Sequence, residues 1–141
     1  MSVIRLATTD AELRAAFPVM RQLRPHLDEP TFVAQARRQI DAHGWRLALL
    51  EHEGHVVACA GFRVSEWMAW GKALYVDDLV TDVHARSAGH GKHLFEWLVA
   101  TARAEGCAQL HLDSGVQRFG AHRFYMRKRM EITSHHFALK L

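Results

Sequence analysis

Thiols are scarce in this chain. Cys59 and Cys107 are the only two in 141 residues, too few for a disulfide framework, so reduced cysteines in a cytoplasmic setting are expected. No stretch approaches the roughly 18 consecutive apolar residues of a membrane span. The opening Met1-Ser2-Val3-Ile4-Arg5 also lacks the positive-then-apolar layout of a secretory leader. Proline is confined to Pro18, Pro25 and Pro30, and no repeat, linker or low-complexity tract interrupts the remainder. Excess charge is small: eighteen Lys plus Arg against fifteen Asp plus Glu leave +3, a field too weak to call for a nucleic-acid partner. What remains is a chain 49% hydrophobic and 23% charged, of a size that fits one domain over residues 1–141.

The apolar run Val3-Ile4-Arg5-Leu6 precedes Thr9-x-x-Glu12, a capping-box spacing that predicts a helix start. Leu13, Phe17, Met20 and Leu23 then share one helical face, with Pro18 expected to kink or split the helix. A second helix is predicted after Asp28-Glu29-Pro30, burying Phe32, Ala36 and Ile40 and ending at Gly44. Residues 45–50 and 55–64 read as strands joined by a short Gly-containing turn, Glu51-His52-Glu53-Gly54, and Lys72 to Thr81 as a third apolar strand. A helix with Leu94, Phe95, Leu98 and Ala102 inward follows, stopped by Gly106; then come a strand at 109–112 and a helix across 117–129. Met130 to Leu141 is expected to add one or two closing strands. A strand, helix, strand crossover from Leu74 to Leu112 requires a parallel pair, which makes the predicted sheet mixed.

Arg86-Ser87-Ala88-Gly89-His90-Gly91-Lys92 lies between a buried strand and the first turn of an amphipathic helix, where backbone amides have no intrahelical acceptor. Glycines at 89 and 91 remove the Cβ atoms that keep an anion away, and Arg86 with the helix dipole adds positive potential, so a phosphate is the natural guest. A Walker A loop is excluded, because Arg86 stands at its first glycine position and His93 follows Lys92. A dinucleotide fingerprint fails at Leu94, where a third glycine is required.

The run Leu79-Val80-Thr81-Asp82-Val83-His84-Ala85-Arg86-Ser87-Ala88-Gly89-His90-Gly91 resembles the acetyl-CoA signature of the GNAT N-acetyltransferase superfamily. Arg86-x-x-Gly89-x-Gly91 carries that resemblance, and Ala121-His122-Arg123-Phe124-Tyr125 matches the family's Ala-x-x-Phe-Tyr element. Three places depart from the family pattern: Ser87-Ala88 follows the arginine where glycine is common, Arg118 replaces a frequent Asn, and Arg129-Met130 replaces a Gly-Phe pair. The resemblance implies an α/β fold: a single domain whose mixed, mostly antiparallel sheet splays open, with helices on both faces and acetyl-CoA bound at the splay. It further implies that Arg86, Ser87, Ala88, Gly89, His90, Gly91 and Lys92 hold the pyrophosphate, while main chain at Leu79, Val80 and Thr81 pairs with pantetheine and polarises the thioester.

The implied reaction moves the acetyl group to a primary amine, on a small molecule or a peptide, by direct attack in a ternary complex. An alkyl ammonium has a pKa of about 10, so a nearby carboxylate must take its proton. In the predicted strand Tyr75, Asp77 and Leu79 share one face and Val76, Asp78 and Val80 the other. Asp77 is the first candidate for base or amine anchor, Asp78 the second, and Glu66 a third that acts through water. By resemblance, Tyr125 donates a proton to the departing thiolate, phenol and thiol having reference pKa values within about two units. A catalytically silent acyl-CoA-binding module of the same fold and acetylation of an aminoacyl-tRNA are the alternatives, and a homodimer is the assembly the resembling family commonly forms.

His90 and His93 stand three apart on a predicted helix, but no Cys or carboxylate joins them, and His135-His136 point to opposite faces of a strand; no metal site is expected. Cys59 and Cys107 read as small hydrophobes and not as nucleophiles. Trp67, Met68 and Trp70 suit either an acceptor pocket or a dimer contact.

Overall fold

The computed structural model describes residues 1–141, which divide into two compact units, Met1–His111 and Leu112–Leu141. The sequence spells out most of the first unit locally. Strand β1 (Ser2–Leu6) leads into helix α1 (Asp10–Leu23), where the capping box forms in full: Glu12 N–H donates to Thr9 Oγ1 at 3.2 Å and Thr9 N–H to the Glu12 carboxylate at 3.0 Å. Helix α2 (Glu29–His43) starts at Asp28, whose carboxylate accepts from Thr31 N–H at 2.8 Å, and ends at Gly44 with φ 67°.

Strands β2 (Arg46–His52) and β3 (His55–Trp67) form a hairpin whose two turn residues both take positive φ, 51° at Glu53 and 80° at Gly54. That is the mirror-type turn whose twist matches antiparallel strands. Strand β4 (Gly71–Thr81) runs back along β3, helix α3 (His90–Ala104) crosses over, and β5 (Gln109–Leu112) ends the sheet. The order is β1-β2-β3-β4-β5, with the first four strands antiparallel. Beyond a helical crossover the next strand is parallel, the geometry expected for β5. It has four residues against eleven in β4, so β4 runs on past its neighbour toward Thr81.

One sheet face carries a core in which Leu13, Phe17 and Met20 of α1 and Phe32 and Ala36 of α2 meet Trp45, Leu47, Leu49, Cys59 and Val80. Each large side chain fully buried there is worth about 1.5–3 kcal/mol. On the opposite face Phe62 meets Trp97 of α3 edge-on at 5.9 Å. The second unit contains helix α4 (Phe119–Arg127), shorter at both ends than the 117–129 expected.

Three expectations are corrected. Helix α1 runs through Pro18 without splitting, because Pro18 and Arg14 are both exposed and the Arg14 carbonyl that loses its partner is left to water. Residues 130–141 form no strand: they find no strand to pair with, and Ile132, Phe137 and Leu139 are exposed. Lastly, β4 does not alternate strictly. Gly61 pairs with Asp78 and Phe62 with Val76, leaving Asp77 as the extra residue of a bulge. The bulge puts Asp77 and Asp78 on the same face, shared with Tyr75 and Val80, and turns Leu79 to the other.

Candidate active site

The acidic pair sits at the bulge, and each carboxylate has its own arginine. Asp77 Oδ2 accepts from Arg63 Nε at 2.9 Å and Nη2 at 2.7 Å, and Arg63 also donates to the His43 carbonyl at 3.3 Å. Asp78 Oδ1 accepts a hydrogen bond from Arg24 Nε at 2.9 Å and forms an ion pair with Nη2 at 2.8 Å. Arg24 Nη2 further donates to the carbonyl of Asp77, the bulge residue, at 2.9 Å. Arg24 follows the last residue of α1, so the end of that helix is fastened to the middle of β4.

The two carboxyls differ in their surroundings. Asp77 takes both Arg63 bonds on Oδ2. Asp78 is largely buried, and burial raises its pKa above the ordinary 3.8, with Arg24 opposing and Asp77 adding to the rise. The Trp45 indole N–H lies buried beside it without a hydrogen bond of good geometry. Gly61 makes that crowding possible: a Cβ there would stand 2.5 Å from Asp78 Oδ2 and 2.5 Å from the Trp45 ring.

Asp78 opens onto a cavity of about 280 Å³ whose apolar wall is Met20, Leu27, Phe32 and Ala36 and whose polar wall includes Arg24, His26, Gln35 and Gln39. Glu66 is not part of this group; it is exposed, pairs in register with Lys72, and lies five residues along β3 from Gly61. Trp67 and Trp70 close on each other at 5.2 Å, and Trp70 stacks on His111 at 3.5 Å. Neither lines the cavity.

Three residues beyond Asp78 the strand ends at Thr81 and the Gly-rich segment begins. Asp82 accepts from His84 N–H at 3.0 Å and from Gln22 Nε2 at 3.1 Å, which lowers its pKa, and Gln22 Oε1 accepts from Val83 N–H at 2.9 Å. Gln22 thus holds the loop's entry to α1. Arg86, Ser87, Ala88 and Gly89 are exposed, and nothing stands within 4 Å of a Cβ added at Gly89, so the loop is open and no side chain of the unit fills it. Gly89 takes φ 83° as the N-cap of α3, and the first-turn amides of His90, Gly91 and Lys92 have no intrahelical acceptor. Gly91 is needed for contact, since a Cβ there would meet Thr81 Oγ1 at 3.2 Å. His90 is buried against the His52 ring at 5.1 Å; burial, then the neighbouring His52 and His93, lower its pKa. These residues fit a diphosphate: an open turn, free amides, and exposed Arg86 and Lys92 at its rim.

In the second unit Tyr125 is the buried residue of α4. Burial raises its phenol pKa, with Arg118 pulling the other way, so Arg118 in the place of the family's common Asn acts on the tyrosine. Cys59 is fully buried and its thiol pKa is pushed far up, which removes it as a nucleophile. No group of three or more His, Cys, Asp or Glu converges on a metal position, and no helix is long and apolar enough to cross a membrane. Arg24, Arg63, Trp45 and Gln22 escaped sequence reasoning. Only Gly61, a glycine inside a strand, hinted at the close approach that joins them.

Compared with known proteins, the chain matches the Acetyltransferase (GNAT) family over residues 8–130. It is 32% identical over 121 residues to an uncharacterized N-acetyltransferase, YhdJ, of Bacillus subtilis (strain 168), the match covering 86% of this chain and 85% of that one. Its fold is similar to that of a Trypanosoma brucei acetyltransferase, with a TM-score of 0.80 at 22% identity over all of both chains. It is also similar to aminoglycoside N-acetyltransferase AAC(6')-Iy in complex with CoA, with a TM-score of 0.86 at 13% identity over 100% of this chain and 95% of that one. At these identities the solved structures establish the fold.

Proposed function

The chain belongs to the GNAT acetyltransferase family, and from that premise we propose that it transfers acetyl from acetyl-CoA to a primary amine held in the Asp78 cavity. Acetyl-CoA is the cosubstrate and supplies an activated acetyl thioester. The loop from Arg86 to Lys92 holds its diphosphate through first-turn amides and positive potential. The edge of β4 at Leu79, Val80 and Thr81, which outruns β5, offers main-chain groups to pantetheine and an amide to the thioester oxygen.

Asp78 takes the proton from the attacking amine as the new C–N bond forms. Asp77, bound to Arg63, is assigned to positioning: it fixes the bulge that presents Asp78. As the C–S bond breaks, Tyr125 gives its phenolic proton to the leaving thiolate; its raised pKa keeps that proton in place at neutral pH. The observation that carries this reading is a buried carboxyl of raised pKa, opening on a cavity, three residues before the strand end that leads into an open Gly-rich loop.

Thiol release measured across a panel of amines tests it, together with calorimetry of acetyl-CoA binding. Tyr125→Phe is expected to lower turnover by about 10²- to 10⁴-fold at unchanged acetyl-CoA affinity. Gly89→Glu is expected to abolish acetyl-CoA binding while the melting transition stays cooperative. Normal affinity in Gly89→Glu refutes the loop assignment, and acetyl-CoA binding with no amine acetylated leaves a silent binding module instead.

A further inference from the structure

The charges lining the Asp78 cavity select among amines. It presents one carboxylate, Asp78, already answered by one guanidinium, Arg24, with His26, Gln35 and Gln39 as the other polar groups. No second carboxylate lines it. A polyamine or an aminoglycoside would bring two or more positive charges to a wall whose single negative charge is in use, and like charges so placed repel. The Arg24 fork, meanwhile, is only half spent. Its Nε and Nη2 serve Asp78 and the Asp77 carbonyl, and Nη1 makes no hydrogen bond within the protein. The Arg24 side chain is 40% exposed against 13% for Asp78, so the cation offers the more accessible face of the pair.

Building on the transferase reading, we propose that the acceptor is a small amine that carries its own carboxylate, an amino acid with an apolar body. Its ammonium docks on Asp78 and its carboxylate on the free edge of Arg24, turning one ion pair into a four-charge arrangement in which each charge keeps an opposite neighbour. A plain amine docking at Asp78 would compete with Arg24 and leave the guanidinium undercompensated in a partly dry site. Met20, Leu27 and Phe32 receive the apolar body. The size agrees: about 280 Å³ is the space of roughly nine waters at ~30 Å³ each, enough for an amino acid.

The test compares matched pairs, each an apolar amino acid and the amine left by its decarboxylation, with spermidine and an aminoglycoside as polycations. Thiol release gives kcat/KM, and calorimetry on the CoA-loaded protein gives binding independently of turnover. The amino acid is expected to exceed its decarboxylated partner by about tenfold to a hundredfold in both, the range of a hydrogen bond between charged groups. In Arg24→Met that ratio should fall to about one, a change that general loosening of the fold would not produce. Equal or better use of the decarboxylated amine, or of a polycation, overturns the proposed class while leaving the transferase reading intact. If no amine is acetylated although amino acids bind preferentially, the transferase reading fails and the carboxylate-selective site stands.

Discussion

At Asp78 burial and an ion pair pull on one carboxyl in opposite directions, and burial prevails. A base acts only when ionised, so kcat/KM is expected to fall as the pH drops through the raised pKa. Asp78→Asn should erase that acid limb and cost about 10²- to 10⁴-fold in rate. Rate profiles for wild type and variant decide it; an acid limb surviving in Asp78→Asn assigns it to another group. The shift has a sign for stability as well. The folded protein holds this proton more tightly than the unfolded chain does, so the contribution is full below the ordinary value of 3.8 and is lost as pH rises through the folded value. Above that folded value the fold carries an ionised carboxyl that it holds less favourably than the acid, a cost common at functional sites. Gly61→Ala tests the packing behind it. The added Cβ must displace Trp45 or the carboxylate, an overpacking expected to cost about 1–3 kcal/mol in urea denaturation and to move the acid limb. Asp77 and Asp78 were both legible in the sequence as candidates. The division of labour proposed for them was not, because it rests on Arg24 and Arg63, which no local pattern connects to β4.

Among the elements, ends were easier to read than middles. The Thr9-x-x-Glu12 box, Asp28 and the glycines at 44 and 106 act through neighbours three to five residues away, so spacing alone exposes them. The bulge at Asp77 is a property of two strands, and period-two reasoning on one strand must miss it. The last twelve residues show the converse: the strands expected there do not form, because a strand needs a partner. The end of α4 is a case in which the wrong residue fills the right geometry. Met130 N–H donates to the Tyr125 carbonyl at 3.1 Å and Arg129 N–H to the Met126 carbonyl at 3.0 Å, a Schellman pair that places Arg129 at φ 63°. A side chain in that left-handed region costs roughly 1–2 kcal/mol. Arg129→Gly is accordingly expected to gain about 1 kcal/mol in chemical denaturation with turnover unchanged; no gain would mean that the arginine's own contacts offset the strain. Ser87, at φ 72° where the family commonly has glycine, bears the same kind of strain inside the loop proposed to hold the diphosphate.

For the whole molecule, the pH dependence of stability follows from a few shifted groups whose signs differ. Asp28, Asp82 and Glu105 have pKa values lowered, by hydrogen bonds to the Thr31 backbone, the His84 backbone and the Arg46 side chain respectively. Their contributions are intact above the ordinary carboxylate values of 3.8 and 4.5 and are lost as pH falls through the lower folded values. Asp78 runs the other way and softens that acid loss. His90 acts in a higher window. Above its ordinary value of 6.5 it is neutral folded or unfolded; below it the unfolded chain takes up a proton that the folded protein refuses, because His90 is buried and faces His52 and His93. Stability therefore declines as pH drops from 6.5 toward the lowered folded value, levels off, and declines again in the carboxylate range. Thermal melts between pH 3 and 8 are expected to show both steps. His90→Gln keeps a polar group at the start of α3 without a titrating ring, and should remove the upper step while leaving the lower one. An upper step that persists in His90→Gln would place the sensitive proton on another histidine and leave His90 an inert part of the turn.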